Sequence, residues 1–209
     1  MSVCTWEEIT QTLQKTNTHL LAVSKYSSDA AVQCLLDVGQ LDFAESRPQN
    51  LRDRALMFPQ ATWHFIGPLQ KNKAKYIGRY AAMWHSLVDV ETAQAVANHI
   101  EGRVLPVLIQ VNVSGEPQKQ GVLPENLPAL FDAVMAMPQL QVIGLMGMAA
   151  KDGDVRASFK HLRTLRDDLQ LKYGNVCELS MGMSGDWQVA VEEGATMVRL
   201  GSIIFEDLP

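Results

Sequence analysis

The sequence is poor in the residues that build covalent or metal frameworks. Cysteine occurs three times, at Cys4, Cys34 and Cys177. These are far apart, odd in number and outside any C-x-x-C pair, which argues against a disulfide scaffold or a zinc site and points to a reducing compartment, the cytoplasm. The histidines (His19, His64, His85, His99 and His161) show no H-x-H or H-E-x-x-H spacing, so no metal site is expected. Basic residues are outnumbered, 18 Lys and Arg against 23 Asp and Glu, a net charge of −5. No cationic surplus is available to neutralise phosphates, so a nucleic-acid partner is not expected. No long uncharged apolar run exists, which excludes a membrane-spanning helix. The opening Met1-Ser2-Val3-Cys4-Thr5-Trp6-Glu7-Glu8 is acidic and lacks an apolar h-region, so it does not read as a signal peptide. No Pro/Gly/Ser-rich linker divides the chain, and residues 1–209 are expected to form a single domain.

What is present is ample core material: 47% of the residues are hydrophobic and 20% charged, an ordinary globular balance. The chain opens with a helical pattern in which Thr5 and Glu8 form a capping box and Trp6, Ile9 and Leu13 share a face. Eight short apolar runs follow: Leu20–Val23, Leu41–Ala44, Thr62–Ile66, Met83–Leu87, Val104–Val113, Leu140–Met146, Val176–Leu179 and Thr196–Leu200. Helical stripes fill the gaps. Asp89 is placed to cap a helix that carries Val90, Ala93, Val96, Ala97 and Ile100 inward, with Gly102 as its C′ glycine. Leu127, Leu130, Phe131 and Val134 form a second stripe. Val155, Phe159, Leu162, Leu165, Leu169 and Tyr173 form a third, which ends at Gly174. Strands alternating with helices predict a parallel sheet with helices outside, and eight units predict a closed (β/α)8 TIM barrel with an extra N-terminal helix. An open doubly wound sheet is the alternative. The first strand leads into Ser24-Lys25-Tyr26-Ser27 rather than G-x-G-x-x-G, which weakens a dinucleotide-binding version.

In a parallel barrel the chemistry sits at the C-terminal strand ends. Two features of that ring are informative. Lys25 follows the first strand. Burial disfavours an ammonium, and a neutral amine attacks an aldehyde to form an imine; the competing reading is an idle, solvated lysine. The second feature is a pair of small-residue loops, Ser180-Met181-Gly182-Met183-Ser184-Gly185-Asp186 after strand seven and Arg199-Leu200-Gly201-Ser202 after strand eight. Each leads into a helix N-terminus, the usual barrel phosphate site; the competing reading is two tight turns. An imine-forming lysine with a phosphate cradle calls for a ligand carrying an aldehyde and a phosphate. Pyridoxal 5′-phosphate fits, and so does a small sugar phosphate.

Four segments carry a resemblance. Ala22-Val23-Ser24-Lys25, Trp63-His64-Phe65-Ile66-Gly67-Pro68-Leu69-Gln70-Lys71-Asn72-Lys73, Leu179-Ser180-Met181-Gly182-Met183-Ser184, and Thr196-Met197-Val198-Arg199-Leu200-Gly201-Ser202-Ile203-Ile204-Phe205 resemble the pyridoxal-phosphate homeostasis protein family, in order and over nearly the whole chain. That family is similar to the barrel domain of alanine racemase. The resemblance implies an alanine racemase N-terminal domain-like fold in which Lys25 holds pyridoxal phosphate as an internal aldimine. Ser184, the backbone near Met183, Gly201 and Ser202 hold the phosphate, and Arg199 faces the pyridine nitrogen. A permanently protonated arginine cannot stabilise a pyridinium, so the cofactor would be a weak electron sink. The chain departs from the family at Phe43-Ala44-Glu45-Ser46-Arg47-Pro48, where members read Phe-Gly-Glu-Asn-Tyr, and at Phe205-Glu206-Asp207-Leu208-Pro209, where a glycine commonly follows the phenylalanine.

Other residues read more plainly. His64 alternates with apolar neighbours and is expected to be packed and hydrogen-bonded. Lys71, Lys73 and Lys75 read as a solvated face, and Met146, Met148, Met181 and Met183 as a flexible apolar wall. Glu45 is a lone carboxylate near the mouth, and Asn112 and Ser114 read as turn formers. The functional expectation is a monomeric carrier that takes part in intracellular vitamin B6 homeostasis and hands the cofactor to apo-enzymes, without evident catalysis. The alternative is a racemase-like enzyme. Racemisation needs acid/base groups on both faces of the substrate carbon, and Tyr26, Tyr76, Tyr80 and Tyr173 offer no obvious second base. A Schiff-base aldolase fits less well, because its lysine usually sits on a late strand.

Overall fold

The computed structural model describes residues 4–116, 118–150, 153–206 and 208, with side chains from residue 6 onward. The capping box expected at Thr5 lies outside the described side chains. Eight parallel strands close into one barrel in the order β1 to β8: β1 His19–Val23, β2 Asp42–Glu45, β3 Thr62–Phe65, β4 Met83–Leu87, β5 Leu105–Gln110, β6 Leu140–Met146, β7 Glu178–Ser180 and β8 Met197–Leu200. Helix α1 (Cys4–Lys15) precedes β1. Around the barrel stand α2 (Asp29–Asp37), α3 (Pro48–Met57), α4 (Ala74–Tyr80), α5 (Val90–Ala97), α6 (Leu127–Met135), α7 (Val155–Tyr173), α8 (Trp187–Glu192) and α9 (Ser202–Phe205). The alternation of apolar runs and helical stripes therefore builds the closed barrel and not the open sheet.

The strands are nearly continuous apolar runs because both of their faces are covered. The helices bury the stripes that defined them. In α6 the buried set is Leu127, Leu130, Phe131 and Val134, and each such side chain contributes about 1.5–3 kcal/mol on burial. Asp89 caps α5 by accepting from the Thr92 amide at 2.7 Å. The details of α5 differ from expectation in two places. The helix stops at Ala97 with Asn98 as its C-cap, so Gly102 lies beyond it rather than at C′. Val90, at its exposed first turn, faces solvent.

Side chains alternate between the two faces of a strand. On β1, Leu20 and Ala22 join the large core beneath the helices, while Leu21 and Val23 join a separate small cluster with Ala44 and Ile66. That second cluster fills part of the barrel interior. Continuing the alternation sends Lys25 towards the mouth.

Candidate functional site

At the C-terminal mouth a cavity of about 760 Å³ is lined by residues of the first, seventh and eighth units, among them Lys25, Met183, Ser184, Arg199, Gly201 and Ser202. All six positions singled out from the sequence meet there, because closure of the barrel makes β8 the neighbour of β1. Leu21 of β1 lies opposite Arg199 of β8. Two helical-repeat units at opposite ends of the chain thus share one wall.

Lys25 sits in the turn after β1, where the Ser27 amide donates to the Ser24 carbonyl at 2.9 Å. It is exposed at the rim rather than held among apolar groups. Its ammonium lies 5.0 Å from the ring centroid of Tyr26. Tyr26 also lines the cavity, a position the sequence reading missed, but it stands beside the amine and not across from it.

The turn is braced from behind. Arg54 of α3 donates through Nη1 to the Ser24 carbonyl at 2.8 Å and to Glu45 Oε1 at 2.9 Å, and through Nη2 to the Ser27 carbonyl. Ser24 Oγ donates to Glu45 Oε1 at 2.7 Å. Glu45 is fully buried, and its Oε2 has no partner. Burial raises its carboxyl above the ordinary range against the opposing pull of Ser24 and Arg54. Glu45 therefore acts through the Lys25 turn and does not reach the cavity. Two residues of the segment that departs from the family pattern fall at the start of α3. Arg47 is the N-cap residue of α3 and Pro48 opens its first turn, where proline costs no hydrogen bond.

The two small-residue loops face Lys25. Ser202 Oγ donates to Ser184 Oγ at 3.2 Å, which ties the loops together at their tips. Gly182 has φ of +92°, and a Cβ there would lie 2.6 Å from the Cβ of Ala190, so only glycine lets β7 turn into α8. A Cβ on Gly201 would press within 3.1 Å of the Val23 carbonyl, so glycine keeps the eighth loop against β1. The Met183 amide is already engaged, donating to Asp186 Oδ1 at 2.6 Å. The Met183 amide is thereby turned away from the cavity side of the loop, which leaves the Ser184 hydroxyl facing Ser202. Phe205, Glu206 and Leu208 also line the cavity. Phe205 closes the fourth family-like segment, but no local signal placed these three at the mouth, which they reach only when the last helix folds over it.

Arg199 forms the floor. It is buried, and it donates to Ser180 Oγ at 2.9 Å and to the Gly147 carbonyl at 3.1 Å. Burial pushes its pKa down to about 10, with Asp186 opposing, so it remains a cation at neutral pH. Hydroxyl and backbone donors at the loops, an amine at the rim and a fixed cation below suit a phosphorylated, electrophilic, flat ligand.

Of the other marked residues, His64, Asn112, Ser114 and Lys71 stay outside the cavity. His64 is buried and hydrogen-bonded to His85. Asn112 and Ser114 form a local turn, with Asn112 Nδ2 donating to the Glu116 carbonyl at 2.9 Å and Ser114 Oγ to Asn112 Oδ1 at 3.1 Å. Lys71 pairs with Glu91 on an exposed face. Met146 and Met181 are buried wall, and Met183 is partly exposed in the cavity. Among the described residues no group of three or more His, Cys, Asp or Glu could hold a metal ion, and no helix is long and apolar enough to cross a membrane.

Comparison with known proteins agrees with this geometry. Residues 5–209 match the family described as "Alanine racemase, N-terminal domain". A "Pyridoxal phosphate homeostasis protein" from Deinococcus radiodurans is 44% identical over 189 residues, 89% of this chain and 88% of that protein. One from Escherichia coli is 34% identical over 196 residues, covering 89% and 84%. The solved structure of PipY from Synechococcus elongatus, described with PLP bound, superposes with a TM-score of 0.87 at 31% identity, covering 97% of this chain and 99% of that one. Alanine racemase from Corynebacterium glutamicum shares the fold, with a TM-score of 0.72 at 18% identity, over 99% of this chain and 61% of its own.

Proposed function

The chain belongs to the pyridoxal phosphate homeostasis family, whose barrel is that of the alanine racemase N-terminal domain, and we propose that it binds pyridoxal 5′-phosphate in the barrel mouth as a vitamin B6 homeostasis protein. The observation that carries this reading is the meeting of Lys25, Arg199 and the two serine-glycine loops on one cavity. The residues fit the group: the positive φ at Gly182 requires glycine in the seventh loop, Gly201 lets the eighth loop pack closely on Val23, and the paired Ser184 and Ser202 hydroxyls offer donors to a phosphate.

When bound, the cofactor supplies an aldehyde carbon that an amine can attack. Lys25 is the residue of this chain placed to hold it covalently. Ser184, Ser202, Gly201 and the backbone after Met183 bind the phosphate. Arg199 orients the ring and, being a cation held by Ser180 and Gly147, takes no proton from it. That choice of residue favours retention over turnover. The low exposure of Arg199 excludes water from the floor, and the exposed position of Lys25 would keep an amine-bound cofactor within reach of solvent. Residues 1–209 work in this reading as one cytoplasmic, monomeric barrel domain that hands its cofactor to apo-enzymes. The racemase alternative lacks support in the cavity, since Tyr26 lies on the same side as Lys25.

The purified protein, loaded with pyridoxal phosphate and reduced with borohydride, is expected to carry the cofactor on Lys25 by peptide mass mapping. Label that persists at the mouth in Lys25→Ala would overturn the assignment. Exchange of amino-acid α-protons at enzymatic rates would reinstate the racemase.

A further inference from the structure

Arg199 is one end of a longer chain. β4 and β7 are not neighbours in the barrel, so a side-chain bond between them crosses the interior. His85 of β4 makes that bond: its Nδ1 lies 2.9 Å from Ser180 Oγ. His85 Nε2 lies 2.9 Å from His64 Nδ1 on β3, and His64 Nε2 is 3.5 Å from Asp42 Oδ1 on β2. His64, His85, Ser180 and Arg199 are all buried. Arg199, Ser180, His85 and His64 thus form one hydrogen-bonded line, and Asp42 extends it by a polar contact to the opposite end of the barrel, five residues from five strands.

The two ends set its direction. A guanidinium only donates, so Ser180 Oγ accepts from Arg199 and keeps its own hydrogen for His85 Nδ1, and a carboxylate only accepts, so His64 must present a hydrogen to Asp42. His85 is held neutral by burial, with His64 and Arg199 adding to the effect. A neutral ring that accepts at Nδ1 carries its hydrogen on Nε2 and donates to His64 Nδ1. His64 then carries its hydrogen on Nε2, facing the Asp42 carboxylate. The tautomers are assigned from the network: the opposite set, with Nδ1–H on both rings, would leave the bare His64 Nε2 against the Asp42 carboxylate, two acceptors face to face.

We propose that Ser180, His85, His64 and Asp42 are positioning residues for Arg199, forming a directed hydrogen-bond relay that fixes how the guanidinium meets the cofactor ring. The proposal rests on the reading of the mouth as a pyridoxal phosphate site. Its distant end opens on a second cavity of about 310 Å³ lined by His19, Asp42, His64 and Glu178 among others. Low-dielectric surroundings strengthen each bond and couple neighbouring links. The floor of the mouth is therefore tied to residues at the far face of the barrel, which no contact with a ligand at the mouth would reveal.

Two measurements test this, and the first needs no cofactor. Nitrogen-15 NMR of the histidine rings in the unliganded protein should show His64 and His85 as Nε2–H tautomers. Asp42→Ala, at a half-exposed position that leaves packing intact, should move the His85 ring resonances although Asp42 does not touch His85. Second, Ser180→Ala should raise the dissociation constant for pyridoxal phosphate roughly tenfold, the order seen when outer hydrogen bonds to a liganding group are lost, and shift the absorbance band of the bound cofactor. Ser180→Thr should restore both. If Ser180→Ala does not fold, Asp42→Ala takes its place in the binding measurement, with a several-fold loss expected. An Nδ1–H tautomer at His85, or wild-type affinity and absorbance in the folded variant, would overturn the relay. A wild-type protein that binds no pyridoxal phosphate would overturn the reading of the mouth, while the ring resonances would still decide the relay.

Discussion

Arg54 donates to the carbonyl oxygen of Ser24 from 2.8 Å away, and so grips the residue that precedes Lys25. Arg54 lies on α3, one unit along the barrel from the turn it holds. The same guanidinium reaches Glu45 and the Ser27 carbonyl, so one side chain fixes both ends of the Lys25 turn.

Replacement of Arg54 by Ala should therefore affect both stability and the lysine. Removing one partner of a buried ion pair costs about 3–5 kcal/mol when the other charge is stranded. Because burial already raises the Glu45 carboxyl, protonation relieves part of that cost, and about 2–3 kcal/mol is expected from denaturant midpoints. Borohydride labelling of Lys25 in the folded fraction should fall as the turn loosens. Unchanged labelling would show that the turn holds its shape without the brace.

Ser184→Ala removes one hydroxyl from the loop tips without touching the core. The loss of a single hydrogen bond to a charged group, about 1.5–3 kcal/mol, corresponds to a dissociation constant for pyridoxal phosphate raised by roughly ten- to a hundredfold. The thermal midpoint of the unliganded protein should stay at the wild-type value. Arg199→Ala should also loosen the cofactor, but it should lower the midpoint too, because it leaves Ser180 and Gly147 without their buried donor. Equilibrium dialysis with differential scanning fluorimetry checks both variants.

Gly182→Ala tests the geometry of the seventh loop. The backbone has φ of +92°, and the added methyl would lie 2.6 Å from the Cβ of Ala190. Strain at such a position costs about 1–3 kcal/mol. The variant should be destabilised by that amount in urea and should bind pyridoxal phosphate more weakly than Ser184→Ala, because the whole loop moves. Wild-type stability would show that β7 does not pass into α8 through this turn.

The buried His85 should leave its mark on acid stability. Its folded pKa lies well below the ordinary 6.5 through burial, then through His64 and Arg199. Only the unfolded chain binds a proton there as the pH falls below 6.5. Its contribution to stability is thus complete above that pH and is lost downward, at about 1.4 kcal/mol per pH unit. His85→Gln should show a shallower loss of unfolding free energy than wild type between pH 6.5 and the folded pKa. Parallel curves would mean that His85 takes up a proton in the folded state.

The apolar runs and stripes were enough to read the barrel, because parallel strands covered on both faces and helices buried on one leave their periods in the chain. The loop residues at Ser184, Gly201 and Ser202 were legible for a similar local reason: small residues directly after strands announce turns where backbone approaches a ligand. Arg54 and Tyr26 carried no such signal. An arginine on an amphipathic helix looks solvated until the helix docks on the strand ends beside it, and the Asp42–His64–His85–Ser180 line appears as scattered polar residues within apolar strands.

By itself, then, the order of residues determined the eight-unit alternation and which strand ends could carry chemistry, since hydrophobic periodicity and turn chemistry act over a few residues. Closure of the sheet decided the rest. Only when β8 pairs with β1 does Arg199 come level with Leu21, and only a closed interior lets His85 bond to Ser180 across it. Contacts of that kind depend on strands far apart in the chain, and no local pattern encodes them.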